Sequence, residues 1–242
     1  MAHLQISYCF NHGQDNARTF NMRFDRDSML MQVDDQQNVP DWALLANNQC
    51  RHCPLSPADT AYCPIARNIA SVVTFFSDSS STSTSRIAVF TEDRNYWKDD
   101  VLQEGLFGIF GLIMATSGCP HMNFLRPMAR FHLPFSTFEE TIIRTMSIFL
   151  LSETIHPAKP GEDCSPFKKL EEHYHQVNTV NMEFIQRIRS AKQGGDAGEN
   201  ALVILDSFVK LIEMEFFTDF SLLKEILTDQ LLGRQEMAPG SL

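Results

Sequence analysis

Two kinds of hydrophobic pattern divide the chain. Apolar and polar residues alternate in short runs within the first forty residues, at 4–10, 19–24 and 29–33. Alternation with a period of two is typical of β-strands, so these runs predict a three-stranded antiparallel meander, and 86–91 is a candidate for a fourth strand. From Cys63 onward, apolar residues mostly recur every three or four positions, which predicts helices.

The starts of these helices follow from residues that cap or begin a helix. Pro64 suits the first helical position, and Cys63 is then the N-cap residue. Four further helices are predicted at 99–116 with Asp99 or Asp100 as the cap, at 136–154, at 165–192, and from Asp196 onward. We therefore predict an α+β fold, in which a small N-terminal antiparallel sheet packs on a bundle of four to five helices.

Three parts are expected along the chain. Residues 1–45 form the N-terminal β-meander, 46–232 carry the cysteine loops and the helices, and 233–242 form a flexible tail. The first two parts are expected to pack as one compact unit, because 242 residues can bury a core of ordinary density as a single large domain.

Composition and charge narrow the classes of function. A hydrophobic content of 43% with 21% charged residues excludes wholesale disorder. The formal net charge of −10 argues against general nucleic-acid binding, because neutralising phosphates needs clustered Lys and Arg. The N-terminus lacks the features of a secretory signal, and the longest apolar run, 106–115, is too short to span a bilayer. We expect a cytoplasmic protein without a membrane span.

Four of the six cysteines fall in two short loops that contain proline. Cys50 and Cys53 form a Cys-x-x-Cys pair, and Cys53, Cys63 and Cys119 each stand directly before a proline. In a reducing cytoplasm, clustered thiols are better explained as ligands or reactive groups than as a disulfide framework. We therefore predict one metal centre ligated by Cys50, Cys53, Cys63 and Cys119, with His121 as a substitute for one thiol.

Zinc and a [4Fe–4S] cluster both suit four thiolates. Zinc ribbons usually carry two Cys-x-x-Cys pairs, whereas this chain has one. Proline directly after a ligating cysteine is known from bacterial iron–sulfur sequences, although their full cysteine spacing is absent here. The cluster is therefore favoured slightly over zinc. Buried cysteines without a metal are the remaining alternative, because Cys is among the most buried residue types.

The other two cysteines are set aside. Cys9 lies within a predicted strand and is expected to be a core residue. Cys164 lies within a linker between two predicted helices and is expected to be incidental. Neither residue belongs to the two loops, so neither is expected to reach the metal centre.

A basic and aromatic segment occupies residues 123–134. Arg126, Arg130 and His132 lie there among Phe, Met and Pro residues. One interpretation is that they bind an anion or stabilise the negative charge of a thiolate cluster. The other interpretation, held equal, is that the two arginines pair with acidic residues of the following helix.

Glycine recurs at every third position of one predicted helix, at Gly105, Gly108 and Gly111. Each glycine inside a helix costs up to about 1 kcal/mol relative to alanine, so three of them need a compensating contact. Such a face lets another helix, or a cofactor, approach the backbone closely. Tight packing of a second helix is favoured over a cofactor.

The cysteine and arginine motifs resemble those of an uncharacterised family of bacterial proteins, a domain of unknown function. The shared motifs are Cys-x-x-Cys-Pro-Leu at 50–55, Cys-Pro at 63–64, Ser-Gly-Cys-Pro-His at 117–121 and Arg-Pro-Met-Ala-Arg-Phe-His-Leu-Pro at 126–134. The resemblance reaches to about residue 215. It implies a bacterial cytosolic setting and singles out the site residues already named. It brings no established activity and no cofactor.

Three functions remain open from the sequence. The first is a sensor or regulatory binding protein whose Cys₄ centre responds to redox state, oxygen or metal supply. The second is a zinc-stapled structural adaptor whose helices bind a protein partner. The third is an enzyme that uses Cys119 or a cluster on an anionic substrate, which the lack of a recognisable acid–base pair disfavours. A protein partner is expected, and the oligomeric state stays open.

Overall fold

The computed structural model describes residues 3–11, 17–33, 39–157, 165–191, 196–218 and 220–227. The strands in this part of the chain are β1 (His3–Asn11), β2 (Ala17–Asp25), β3 (Met31–Gln32), β4 (Thr84–Phe90) and β5 (Asn95–Val101). The helices are α1 (Pro64–Phe75), α2 (Leu102–Thr116), α3 (Arg126–Arg130), α4 (Phe138–Ile155), α5 (Pro166–Ser190), α6 (Ala197–Phe217) and α7 (Ser221–Ile226). Short 3-10 helices span Asp41–Ala43 and Pro120–Leu125.

The strands form one antiparallel sheet in the order β3-β2-β1-β4-β5. Its central strand, β1, buries Ile6, Tyr8 and Phe10, whose side chains share the face that meets the helices. Burial at alternate positions is typical of an antiparallel sheet with one face on the core. The predicted meander is confirmed as the first part of this sheet, and the α+β prediction is confirmed for the chain.

Strand β5 was not predicted, and it changes where α2 begins. Asp99 and Asp100 were expected to cap that helix, but both lie in β5, where Asp99 pairs with Arg86 of the neighbouring strand. The helix begins instead at Leu102. The prediction was wrong because β5 is mostly polar and exposed, so it lacks the apolar alternation that marks a strand. The sheet therefore takes in residues 84–101 as well.

Helix α2 lies close against the sheet through its glycines. A Cβ atom added at Gly105 would lie 2.6 Å from the ring of Phe10, and one at Gly108 would lie 2.8 Å from the hydroxyl oxygen of Tyr8. Both distances are too short for a side chain, so only glycine permits this approach. Gly111 faces α6 instead. The expected close packing is present, but two of the three glycines face the sheet and Gly111 faces a helix.

The long helices complete one continuous core. Helix α5 packs along α6 and against α4, and α2 packs against α6. Helix α1 contacts the sheet through Phe76, whose ring lies 5.1 Å from the ring of Phe10 between centroids. Because α1 begins at the end of the first cysteine loop and α2 ends just before Cys119, this packing brings the two loops to the same side of the core.

Some predictions fall outside the described residues or concern the membrane. The predicted tail, 233–242, and Cys164 both lie outside the described ranges. Within those ranges, no single helix has the length and apolar composition that crossing a membrane requires. One pair of neighbouring helical segments meets this requirement of length and composition only when the two are counted together. They are Leu102–Thr116 and Pro120–Arg130, and the chain bends by 112° between them.

Candidate functional site

The two cysteine loops meet at one small cavity. Cys50, Cys53, Cys63 and Cys119 all line it, together with His121. The centre of a water-sized sphere can move through about 20 Å³ there. One water occupies about 10–15 Å³ as a sphere, so a water molecule fits there with room to move. The cavity therefore suits an ion, a water molecule or a compact inorganic group, and it is too small for an organic substrate.

Cys63 and Cys119 occupy the same local structure. Each is the N-cap residue of a helical segment and is followed by proline at the first helical position, as predicted for Cys63. Their φ and ψ angles are nearly identical, −61° and 122° for Cys63 and −63° and 124° for Cys119. Neither side chain makes a capping hydrogen bond. The N–H groups of each first turn nevertheless favour a negative charge on the sulfur.

Arg187 of α5 holds the first cysteine loop in place. It is only 1% exposed, and its Nη1 donates hydrogen bonds of 2.8 Å to the carbonyl oxygens of both Trp42 and Leu44. Its Nη2 donates to the carbonyl oxygen of Asn48 at 2.9 Å. A buried guanidinium is costly unless its N–H groups are hydrogen-bonded, so these carbonyls fix the path of the chain just before Cys50.

Arg187 was not among the residues predicted from the sequence. An arginine in the last turn of a helix is common, because a positive charge is favourable near the helix C-terminus. The signal that could have found it is its position on the apolar face of α5, seven residues after Val180 and three after Phe184. Both of those residues are buried and line the cysteine cavity with Arg187.

The histidines of the two loops contact each other directly. The rings of His52 and His121 stack with their centroids 4.1 Å apart and 23° between the planes. Nε2 of His121 lies 3.0 Å from the carbonyl oxygen of His52, and Nε2 of His52 lies 3.2 Å from that of Gln176 in α5. These contacts join the loops and engage Nε2 of His121, so Nδ1 is the nitrogen left for a metal.

Burial controls the charge of the thiols. It raises the pKa of Cys50 to about 12, with further increases from the sulfurs of Cys63 and Cys119, while Arg187 opposes the shift. Burial also raises the pKa of Cys119 to about 12 and raises that of Cys63, against the N–H groups of their first helical turns. These three thiols are therefore neutral near pH 7 without a metal. A cation in the cavity would let them ionise together.

The described residues do not form a complete metal site. Within them, no group of three or more His, Cys, Asp or Glu side chains is arranged so that it could hold a metal ion. Zinc lies about 2.3 Å from each sulfur that binds it, so the loops would have to close around such an ion. The structure thus brings the four predicted cysteines to one cavity, and metal binding stays a prediction.

The predicted basic residues do not line the cysteine cavity. Arg126 donates from Nη1 to the carbonyl oxygen of Ser28 at 3.0 Å, and the hydroxyl of Tyr8 lies 2.6 Å from Nε2 of His132. Nη1 of Arg130 is buried and has no hydrogen-bond partner among the described residues. Anion binding by the two arginines stays a prediction.

Cys9 lies in β1, as expected, but not in the core. The even-numbered residues of β1 from Leu4 to Phe10 are buried on the face that meets the helices, whereas Cys9 is half-buried on the opposite face, where Ser7 is also buried. The prediction of a core residue was wrong, because strand alternation places neighbours on opposite faces. Cys9 also lies away from the cysteine cavity, so it serves as a control thiol.

The fold and the site define an α+β protein in which four cysteine thiols from two loops line one buried cavity. The chain belongs to the family described as "Domain of unknown function (DUF6901)", whose match covers residues 6–224. That match confirms the resemblance to a family of unknown function and extends it beyond residue 215. No curated protein and no solved structure matches the chain.

Replacing Arg187 should release the first cysteine loop. In Arg187→Lys, a single ammonium cannot reproduce the fork of hydrogen bonds to separate carbonyls, which leaves buried carbonyl groups unpaired. We expect the free energy of unfolding to fall by about 2–4 kcal/mol in urea denaturation, the usual scale for breaking a buried charged network. Arg189→Lys on the same helix is the control, because Arg189 is exposed and should change stability by less than about 0.5 kcal/mol. Equal effects of the two substitutions would contradict this role of Arg187.

The metal-free protein should lose stability at alkaline pH. In the unfolded chain the thiols ionise near pH 8.5, whereas the buried thiols of Cys50 and Cys119 ionise only near pH 12 in the folded protein. The folded state therefore keeps protons that the unfolded state loses, and stability falls as the pH rises above about 8.5, by up to about 1.4 kcal/mol per pH unit for each thiol. Urea denaturation between pH 8 and 10.5 measures this slope. The slope should be smaller in Cys50→Ser, and parallel slopes would show that burial of this thiol is not responsible.

Proposed function

We propose that this protein is a cytoplasmic metal-binding protein with a Cys₄ thiolate centre, and that it acts as a redox- or metal-responsive sensor or regulatory binding protein. Cys50, Cys53, Cys63 and Cys119 are its ligands, with His121 as the substitute ligand, and an iron–sulfur cluster is favoured slightly over zinc. The observation that carries the proposal is that four thiols from two loops that are separate in sequence line one small cavity.

Several groups around the cavity oppose the effect of burial and favour negative charge on the sulfurs. The guanidinium of Arg187 lines the cavity, and the first-turn N–H groups of two helical segments lie beside Cys63 and Cys119. Cations and backbone N–H groups of this kind stabilise metal-bound thiolates and tune the potential of iron–sulfur clusters. These groups stabilise the sulfurs only when the thiols are ionised, as they are when they bind a metal.

The position of the centre supports a regulatory role. The cavity lies where the first cysteine loop, the segment after α2, and α5 meet, and the stacked rings of His52 and His121 join the two loops beside it. A metal bound there would tie these three segments together. Its loss would free the loops from one another, and an order–disorder change of this kind alters the surface that a protein partner contacts.

A zinc-stapled adaptor is the second candidate. The observation that favours it is the burial of Cys63 and Cys119, each 8% exposed, inside a junction of loops and helices. A closed centre is typical of structural zinc, which contributes folding energy and takes no part in redox chemistry. In that case the helices bind the partner, and loss of zinc unfolds the junction instead of signalling.

An enzyme with the thiols as its reactive groups is the weakest candidate. On one of the two interpretations open from the sequence, Arg126, Arg130 and His132 bind an anion, but none of them lines the cysteine cavity. Burial also holds the thiol pKa of Cys119 far above neutrality, whereas catalytic cysteines usually have a lowered pKa.

An anaerobic purification followed by an absorbance spectrum and elemental analysis of the same sample tests the proposal. We expect a broad band near about 400 nm, the region in which thiolate-bound iron–sulfur chromophores absorb, together with iron and sulfide. The colour should bleach in air, as an oxygen-responsive cluster would. Zinc without colour would support the adaptor instead, and a protein with neither metal would contradict both metal candidates.

Cys53→Ser serves as the matched variant in that experiment. Loss of one ligand should lower metal content and the free energy of unfolding, whichever metal is bound. Unchanged content and stability would show that Cys53 does not belong to a shared centre.

A further inference from the structure

A second cavity lies away from the cysteines and is mostly apolar. It has a volume of about 160 Å³, is partly open to solvent and is bordered by α2, α6, the region of α3 and the first turns of α4. The residues that line it include Phe107, Gly111, Phe135, Phe208 and Ile212. An apolar cavity of about 150 Å³ in another protein stays dry and takes up benzene, so this one can hold a hydrocarbon group of about six carbons.

Arg144 of α4 supplies the cavity with a positive charge. Its side chain lines the cavity and is half-buried, which lowers the pKa of the guanidinium without removing its charge. Nη2 donates to the carbonyl oxygens of Met128 at 3.3 Å and Phe131 at 2.6 Å. Both bonds use this one nitrogen, although a guanidinium carries five N–H donors on three nitrogens.

Arg144 has no carboxylate partner in the part of the chain that the structure describes. Glu140 lies one turn earlier on α4, but its Oε2 accepts the N–H of Thr137 at 2.8 Å as part of the helix capping box. The charge of Glu140 opposes the effect of burial and raises the pKa of Arg144, but the two side chains form no ion pair within the described residues. A half-buried arginine of this kind beside an apolar cavity attracts an anion that brings an apolar group with it.

The remaining polar groups at this end of the cavity carry no charge. Burial lowers the pKa of His132 to about 3, with a further contribution from the nearby Arg144, so its ring is neutral. His132 is half-buried and lines the cavity. Burial raises the pKa of Tyr8, so its hydroxyl is protonated, and its oxygen lies 2.6 Å from Nε2 of His132. Arg144 is therefore the charged group that an anion would meet there.

We propose that this cavity binds a small amphipathic carboxylate, with its hydrocarbon tail between α2 and α6 and its carboxylate on Arg144. The tail replaces water in an apolar space, and the planar carboxylate matches the donor geometry of a guanidinium. This site is separate from the cysteine cavity and does not depend on metal binding. One stretch of chain connects the two cavities. It begins at Cys119, which lines the cysteine cavity, and ends at His132, which lines the apolar cavity.

Hexanoate and 1-hexanol are the probes that test the proposal, measured by isothermal titration calorimetry on the full chain. They have tails of equal length and differ in the charge of the head group. We expect hexanoate to bind about tenfold more tightly, which corresponds to about 1.4 kcal/mol, since its carboxylate accepts charge-assisted hydrogen bonds from Arg144. Equal affinities, tighter binding of the alcohol, or no binding of either probe at millimolar concentration would overturn the proposal.

Two pairs of variants locate the ligand. Gly111→Leu places a side chain in the cavity and should abolish binding of both probes. Gly111→Ala also removes the glycine, but its Cβ would lie at an ordinary 3.4 Å from Leu205, so hexanoate affinity should stay within about twofold. Unchanged hexanoate binding in Gly111→Leu would mean that the ligand lies elsewhere and would overturn the proposal.

Arg144→Gln and Arg144→Lys test the head group. The glutamine variant should bind both probes with similar affinity, because the charge is gone, and the lysine variant should keep part of the preference for hexanoate. Circular dichroism checks that each variant is folded. A tenfold preference that survives in folded Arg144→Gln would overturn the assignment of the carboxylate to Arg144. If the glutamine variant fails to fold, the comparison of the two probes on the unaltered chain still decides the proposal.

Discussion

The buried guanidinium of Arg187 is the constraint on which the candidate site depends. A charge that is 1% exposed requires hydrogen-bond acceptors around it, and here the backbone carbonyls of residues 42–48 supply them. To bring these carbonyls to the guanidinium, the loop packs against the C-terminal turns of α5. Cys50 and Cys53 therefore lie on the same side of the core as Cys63 and Cys119. The same charge also faces the thiols and offsets part of the cost of ionising Cys50.

Much of the fold follows from local patterns in the sequence. The alternation in the first strands and the Cys63-Pro64 helix start were predicted correctly, because period and capping are local properties. Strand β5 was missed because it is an edge strand, paired on one side only, with β4. Its residues are mostly exposed, so they lack the apolar alternation that predicts a strand. The tight approach of α2 to the sheet was foreseen from its glycines, but nothing local in a helix tells whether its partner is a helix or a strand.

The candidate site could be predicted in part. Four of its cysteines were identified from clustering and from the prolines that follow them, and these cysteines do line one cavity. Arg187 was missed because its importance arises from carbonyls about 140 residues away in sequence, which no local pattern encodes. The role of the basic segment was left open between anion binding and pairing with acidic residues, and its residues do not line the cysteine cavity. His132 lies in the wall of the apolar cavity instead, which no local pattern indicates.

The central claim is that Cys119 completes one centre with the three cysteines of the first loop. The most direct test is the metal content per chain of Cys119→Ser, purified without oxygen beside the unaltered chain and Cys9→Ser. The account predicts that Cys119→Ser loses most of its bound metal, whereas Cys9→Ser, whose thiol lies away from the cavity, keeps the content of the unaltered chain. A Cys119→Ser protein that retains its full metal content would contradict the account.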